Sequence, residues 1–248
     1  MNNVVPLNLS GRVALVTGGT RGIGRATAVR LAAAGAKVAF TYVSSEDQAK
    51  SLADELGAGG RGFRVDHGDP DDVAALVDGV VAHFGRLDIV VNNAGVFVRG
   101  TIDDPERDES AMSRQFAVNL HSAVAITRHA APHLGAGGRV VLISSVAAQR
   151  AIGGPVGDYA ATKAALESYG RAWAHELGRR GVTVNTIQLG FFETDMLDPG
   201  LAETLLPMIP AGRIGDPREV AEAVAFLAGP TADYVNGAIL RIDGGMFA

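Results

Sequence analysis

Tyr159 and Lys163 stand four residues apart in an alanine-rich run, Tyr159-Ala160-Ala161-Thr162-Lys163-Ala164-Ala165-Leu166. On a helix that spacing brings both side chains to one face, so a phenol lies beside an ammonium. An isolated phenol has a pKa of about 10 and exchanges protons reluctantly near neutrality; a nearby cation stabilises phenolate and is expected to lower that value. The pair then reads as a proton shuttle for an oxygen whose charge changes during reaction. Upstream stand Ser145, whose hydroxyl can hydrogen-bond the same oxygen, and Asn119, whose amide can hold a water or a backbone group that orients Lys163. Asn119, Ser145, Tyr159 and Lys163 form the candidate catalytic set. The competing reading is an ordinary helix pair, since Tyr-x-x-x-Lys alone is a weak signal.

What weighs against that reading is a glycine-rich turn, Thr17-Gly18-Gly19-Thr20-Arg21-Gly22-Ile23-Gly24. It follows an apolar run and opens a helix-like segment. Glycines in that place let the backbone turn tightly, let a pyrophosphate approach the main chain, and aim helix N–H groups at it. The spacing of Gly18, Gly22 and Gly24 differs from G-x-G-x-x-G, so the strand–turn–helix context carries the argument. About twenty residues further on, an acid closing the second strand would accept bonds from a free ribose 2′-hydroxyl. The run Thr41-Tyr42-Val43-Ser44-Ser45 has none. Tyr42, Ser44 and Ser45 leave room for a 2′-phosphate, and Arg21 supplies a permanent cation, which favours NADP(H) over NAD(H). The alternative leaves Arg21 to the solvent and gives the ribose to Glu46.

Seven short β-branched runs are strand candidates: 13–17, 37–42, 62–65, 87–91, 140–144, 182–187 and 238–242. Between them lie helix-like segments near 22–34, 46–57, 70–84, 109–134, 158–180 and 216–228, with Asp69-Pro70 and Asp216-Pro217 reading as helix starts. Apolar strands alternating with helices predict an α/β fold, a doubly wound parallel sheet of Rossmann type covered on both faces. The chain has 248 residues and no evident linker, which predicts one domain over 1–248. The segment 190–215 carries Met196, Leu197, Leu201, Leu205, Leu206, Met208 and Ile209, spaced as short amphipathic helices, and is the expected substrate lid.

Hydrophobic residues make up 47% and charged residues 20% of the chain, which suits a packed core. There is no cysteine, so disulfides, thiolate metal sites and a catalytic thiol are excluded. No basic n-region with an apolar stretch opens the chain and no run is long enough to span a bilayer, so a cytoplasmic protein is expected. Net charge is −5, with Lys and Arg dispersed, which argues against nucleic acid. His129 and His133 lie one helical turn apart, but Pro132 stands between them and the glutamate of a zinc-hydrolase helix is missing, so no metal is expected. His67, His83, His121 and His175 have no partner legible in the sequence.

Taken together, Thr17-Gly18-x-x-x-Gly22-x-Gly24, Asn92-Asn93-Ala94-Gly95, Asn119, Ser145 and Tyr159-x-x-x-Lys163 resemble the short-chain dehydrogenase/reductase family along nearly the whole chain. Within it, the similarity runs toward 3-oxoacyl-carrier-protein reductases and related secondary-metabolite ketoreductases. The resemblance implies that Asp66 contacts adenine, that Asn92 and Gly95 line the adenosine ribose, with Ala94 between, that Lys163 and Tyr159 meet the nicotinamide ribose, and that Thr194 meets the carboxamide beside Gly190. It implies a homotetramer. It also implies reduction of a ketone to a secondary alcohol, or the reverse oxidation, with Tyr159 as proton donor. Other readings are an NAD-dependent alcohol dehydrogenase of the same fold and a nucleotide sensor without turnover.

Two departures from the family stand out. Leu189-Gly190 replaces the usual Pro-Gly, which frees φ and restores an N–H donor, so a different loop path is expected there. The interval from Ser145 to Tyr159 is lengthened and contains Gly153-Gly154-Pro155. Apolar residues of the lid, with Val96, Phe97 and Ile152, point to a hydrophobic or ring-containing carbonyl substrate or to mutual burial. Carrier-protein reductases tend to carry a basic cluster before the fifth strand, where this chain has Leu134-Gly135-Ala136-Gly137-Gly138-Arg139. The partner is therefore expected to be a small-molecule carbonyl compound, free or linked to a carrier protein or CoA. Arg179 and Arg180 form a possible docking pair, or a complement to a helix dipole.

Overall fold

The computed structural model describes residues 7–151, 154–198, 200 and 204–248. Seven strands run parallel: β1 (Val13–Val16), β2 (Lys37–Tyr42), β3 (Gly60–Arg64), β4 (Ile89–Asn92), β5 (Arg139–Ser145), β6 (Thr183–Leu189) and β7 (Ile239–Ile242). Their order is β3-β2-β1-β4-β5-β6-β7. The order reverses between β1 and β4, and a crevice opens beyond the carboxyl ends of strands at such a point. The fold is the doubly wound α/β sheet that the alternating pattern predicts.

Alternation along each strand divides the core in two. Ala14, Val16, Val38, Phe40, Ile89 and Val91 face a layer built by α1 (Gly22–Ala33), α2 (Glu46–Leu56) and α7 (Pro217–Ala228). Val13, Leu15, Ala39, Val90, Val140 and Leu142 face α3 (Pro70–Phe84), α5 (Ser122–Ala130) and α6 (Gly157–Gly178). The proline starts are as expected. Asp69 caps α3 by accepting from the Asp71 N–H, and Asp216 and Glu219 form a capping box on α7.

One predicted helix is broken. The segment 109–134 becomes α4 (Glu109–Phe116), a π-helical turn (Ala117–His121) and then α5. The extra residue in a π turn rotates a side chain off the regular helical face, and here it turns Asn119 inward. Helix α5 stops at Ala130, two residues ahead of Pro132, so His129 and His133 do not share one helix.

The segment 190–215 is pinned at its base. Phe192 and Gly215 form an isolated parallel bridge, the Glu193 N–H donates to the Gly215 carbonyl, and the Gly215 N–H donates to Phe191. Leu205 and Ile209 are buried, whereas Met196, Leu206 and Met208 are exposed. Leu206–Met208 is a 3-10 turn. Leu201, Ile152, Gly153 and the first six residues lie outside the described residues. Leu189 stays within β6, in register between Ser145 on β5 and Ile242 on β7. A residue with an N–H and a free φ can remain in a ladder where proline could not. No described helix is long and apolar enough to cross a membrane.

Candidate active site

A crevice of about 700 Å³ lies at the β1/β4 switch point. Its lining includes Gly18, Thr20, Arg21, Gly22, Ile23, Gly24, Tyr42, Ser44, Ser45, Asp66, Ala94, Gly95, Ser145, Tyr159, Lys163, Gly190 and Thr194. The fold thus gathers the predicted residues, except Asn92 and Asn119, into the lining of one crevice. Asn119 sits behind it. Its Oδ1 accepts from the Val96 N–H at 2.8 Å and its Nδ2 donates to the Val96 carbonyl at 2.9 Å. The amide grips a backbone segment, but not the one that receives Lys163, whose Nζ donates to the Ile143 carbonyl instead. One helical turn earlier, Gln115 Oε1 accepts from the Val98 N–H at 2.7 Å, so both amides hold the segment that carries Phe97.

Asn92 departs from expectation. Strand alternation turns it, like Val90, toward α5, where Nδ2 donates to Thr127 Oγ1 at 3.0 Å. Its neighbour Asn93 has the role at the turn that sequence reasoning missed. Asn93 Nδ2 donates to the Thr17 and Gly18 carbonyls at 2.8 and 3.2 Å, and Thr17 Oγ1 accepts from the Asn93 and Ala94 amides at 2.9 Å. Nothing in local patterning distinguishes two adjacent asparagines; only the facing of β4 does.

The glycine turn is closed from several sides. Gly18 has φ 64°, a region that disfavours side chains. A Cβ on Gly24 would lie 2.1 Å from the Gly18 carbonyl oxygen and 2.7 Å from Asn93 Nδ2. We therefore expect Gly24→Ala to cost about 1–3 kcal/mol through overpacking and to weaken dinucleotide binding. A thermal melt and a titration with NADPH check both, and an unchanged pair would remove the turn from the site.

The residues fit a dinucleotide. Helix α1 opens on the crevice with no side-chain cap and no acid in its first turn, whereas α3, α4 and α7 are each capped by an aspartate. An uncapped N-terminus has free amides to offer an anion. At the far end, Asp66 Oδ1 accepts from Arg114 and from the Gly68 N–H, both at 2.8 Å. These bonds, the Arg114 one foremost, hold the Asp66 carboxyl below its ordinary range. Thr194 packs against the turn, 3.2 Å from where a Gly22 Cβ would stand. Arg21 makes an exposed ion pair with Asp195 at 3.4 Å, worth little in water.

At the catalytic end, Lys163 is buried and its Nζ donates to the Ile143 carbonyl at 2.9 Å, 5.7 Å from the centre of the Tyr159 ring. Burial pushes the Lys163 ammonium down to about 8. The expected lowering of the phenol does not occur. Burial pushes Tyr159 up to about 12, against a smaller opposing effect of the Ser145 hydroxyl. The ammonium is directed to the Ile143 carbonyl, and desolvation of the phenolate dominates. A phenol so raised keeps its proton at neutral pH. Ser145 Oγ accepts from the Ala147 N–H at 3.2 Å, which orients it and leaves its own proton to donate. Ser144 instead donates to Glu167 at 2.8 Å. Phe97 stands edge-on to Tyr159, with ring centres 4.9 Å apart.

Arg180 is engaged, donating to the Ala131 and Leu134 carbonyls at the end of α5. Of the histidines left without a reading, His67 has two hydrogen-bond partners and borders the crevice, and His83 packs edge-on between Phe63 and Phe84.

A parallel sheet with this wall at its switch point defines an oxidoreductase of the dinucleotide-binding α/β class. Residues 18–247 match the family model described as enoyl-(acyl carrier protein) reductase. The 3-oxoacyl-[acyl-carrier-protein] reductase FabG of Escherichia coli K12 is 40% identical over 248 residues, covering 97% of this chain and 99% of its own. Versicolorin reductase stcU of Emericella nidulans is 37% identical over 257 residues, covering 96% and 97%. A short chain dehydrogenase from Burkholderia cenocepacia J2315, solved in complex with NADP, has a TM-score of 0.93 and 40% identity, covering 97% of this chain and all of that one. The chain belongs to the short-chain dehydrogenase/reductase family.

Proposed function

We propose that this enzyme reduces a hydrophobic ketone to a secondary alcohol with NADPH. The observation that carries the reading is that the Tyr159 phenol and an oriented Ser145 hydroxyl line the same crevice, with the Lys163 ammonium beside the Tyr159 ring. When bound, the dinucleotide supplies hydride to the carbonyl carbon. Ser145 donates a hydrogen bond to the substrate oxygen, and Tyr159 gives up its proton as that oxygen becomes a strongly basic alkoxide. Lys163, charged below about pH 8, restores the phenol's proton. Asn119 acts one step back by holding the Val96 backbone.

The amides of Gly22, Ile23 and Gly24 at the start of α1, with Thr20, would hold the pyrophosphate beside Gly18, whose own N–H is committed to Thr41. Arg21, Tyr42, Ser44 and Ser45 would receive a 2′-phosphate, Asp66 the adenine amine, Ala94 and Gly95 the adenosine ribose, and Gly190 and Thr194 the nicotinamide end. Arg21→Ala is expected to lower the preference for NADPH over NADH roughly 10- to 100-fold, the equivalent of one charge-assisted hydrogen bond. Separate kcat/KM values for the two cofactors check this, and an unchanged ratio would reject Arg21 as the discriminating residue.

Val96, Phe97, Val156, Phe191, Met196 and Leu197 form an apolar wall beside Tyr159. That wall, and the likeness to reductases of acyl thioesters and of versicolorin, supports a 3-oxoacyl thioester or a ring ketone as substrate. A homotetramer is part of the same reading. The experiment is to mix the purified enzyme with NADPH and a panel spanning 3-oxoacyl thioesters and ring ketones, and to follow NADPH absorbance. NADPH binding without oxidation by any ketone would favour a nucleotide sensor.

A further inference from the structure

We propose that His67 is a positioning residue for the dinucleotide, acting through Thr41 on the Gly18 amide of the phosphate-binding turn. The inference rests on the reading that this crevice holds NADPH. His67 follows Asp66 in the loop after β3, and its ring borders the crevice. Nε2 lies 2.7 Å from Thr41 Oγ1 and Nδ1 lies 2.7 Å from Ser122 Oγ. Thr41 Oγ1 in turn accepts from the Gly18 N–H at 2.8 Å, and the Thr41 carbonyl accepts from the Gly19 N–H at 2.9 Å. Thr41, His67 and Ser122 are all buried.

These bonds are directional in a way that an apolar side chain cannot reproduce. Burial pushes the His67 imidazole down to about 4, so at neutral pH the ring is uncharged, with one nitrogen donating and the other accepting. Thr41 has a single hydroxyl, and its lone pairs must meet the Gly18 N–H. The ring confines the rotation of that hydroxyl and sets where the Gly18 amide is held. Its other nitrogen is anchored at Ser122, the first residue of α5, immediately after the π turn that carries Asn119. A leucine at 67 would fill the space and remove both bonds, leaving the Thr41 hydroxyl to rotate and the turn less ordered. Binding would then cost the entropy of ordering that turn, while Ser145, Tyr159 and Lys163 keep their own partners.

The test uses wild type, His67→Leu, His67→Gln, Thr41→Val and the Leu/Val double variant, each titrated with NADPH by fluorescence and assayed with saturating cofactor. His67→Leu is expected to weaken NADPH binding about 10-fold, the equivalent of roughly one buried hydrogen bond, with kcat at saturating NADPH within about 2-fold of wild type. His67→Gln, which can donate and accept, is expected to recover part of that loss. Because His67 acts through Thr41, the double variant should bind no more weakly than Thr41→Val alone. Wild-type affinity in His67→Leu, or fully additive losses in the double variant, would overturn the proposal. If His67→Leu fails to fold, Ser122→Ala frees the other ring nitrogen and is expected to weaken binding about 3-fold; unchanged affinity there overturns it equally. Failure of the wild type to bind NADPH would instead sink the cofactor reading.

Discussion

Tyr159→Phe is expected to lower ketone reduction by at least about 100-fold, the lower bound for a positioned general acid, while NADPH affinity stays near wild type. The substitution removes one oxygen and keeps the ring, so the edge-on contact with Phe97 survives and the crevice wall keeps its shape. What is lost is the group that gives its proton to the developing alkoxide. A phenol held up to about 12 stays protonated throughout the physiological range, and it releases that proton only to a base as strong as the developing alkoxide. Water replaces it poorly in an apolar pocket. Ser145 retains its hydrogen bond to the substrate oxygen, so some rate should remain. Steady-state kinetics alongside an NADPH titration make the measurement; near-normal turnover with normal binding would mean that the proton comes from elsewhere.

Lys163→Met is expected to lose activity by a comparable factor and at the same time to gain stability. The Lys163 ammonium is buried and pushed from 10.5 down to about 8, so the folded state binds this proton less tightly than the unfolded chain does. Below about pH 8 the lysine is charged in both states and the fold carries the full cost of a buried cation. Between about 8 and 10.5 the unfolded chain holds the extra proton, so stability rises with pH. Above that window lysine is neutral in both states and the cost is gone. Methionine fills similar space without the charge. At neutral pH it should therefore raise the melting temperature by a few degrees, with a gain on the order of 2 kcal/mol after the bond to the Ile143 carbonyl is given up. The same titration predicts the pH profile of the wild type. Reduction needs the charged lysine to reprotonate Tyr159, so its kcat falls as pH rises through about 8. A profile flat to pH 10 would exclude Lys163 from the relay, and a melting temperature that drops in the variant would reject the buried cation as a burden.

The fold was legible because local signals agreed with one another. Short apolar runs rich in β-branched residues marked the strands to within a few residues, and Asp-Pro pairs marked the starts of α3 and α7. Tyr159 and Lys163 could be paired from spacing alone because α6 is a regular helix with 3.6 residues per turn. The 109–134 helix was misjudged at one point for the converse reason. A π turn has no distinctive composition, and what stabilises this one is a tertiary bond, the reciprocal grip of Asn119 on Val96. The phenol's pKa was predicted in the wrong direction because the pair was judged by proximity, whereas burial depends on what α6 packs against.

The order and spacing of Gly18, Gly22, Gly24, Ser145, Tyr159 and Lys163 determined in the sequence itself which chemistry this chain carries, because short-range geometry on strands, turns and helices follows from residue type. Only the folded sheet decided which way Asn92 and Asn93 turn, that His67 finds Thr41 and Ser122, and that Lys163 spends a proton on Ile143. Those partners lie 20 to 76 positions apart in the chain. They meet because parallel strands bring distant segments to a common edge, and no pattern confined to neighbouring residues records that meeting.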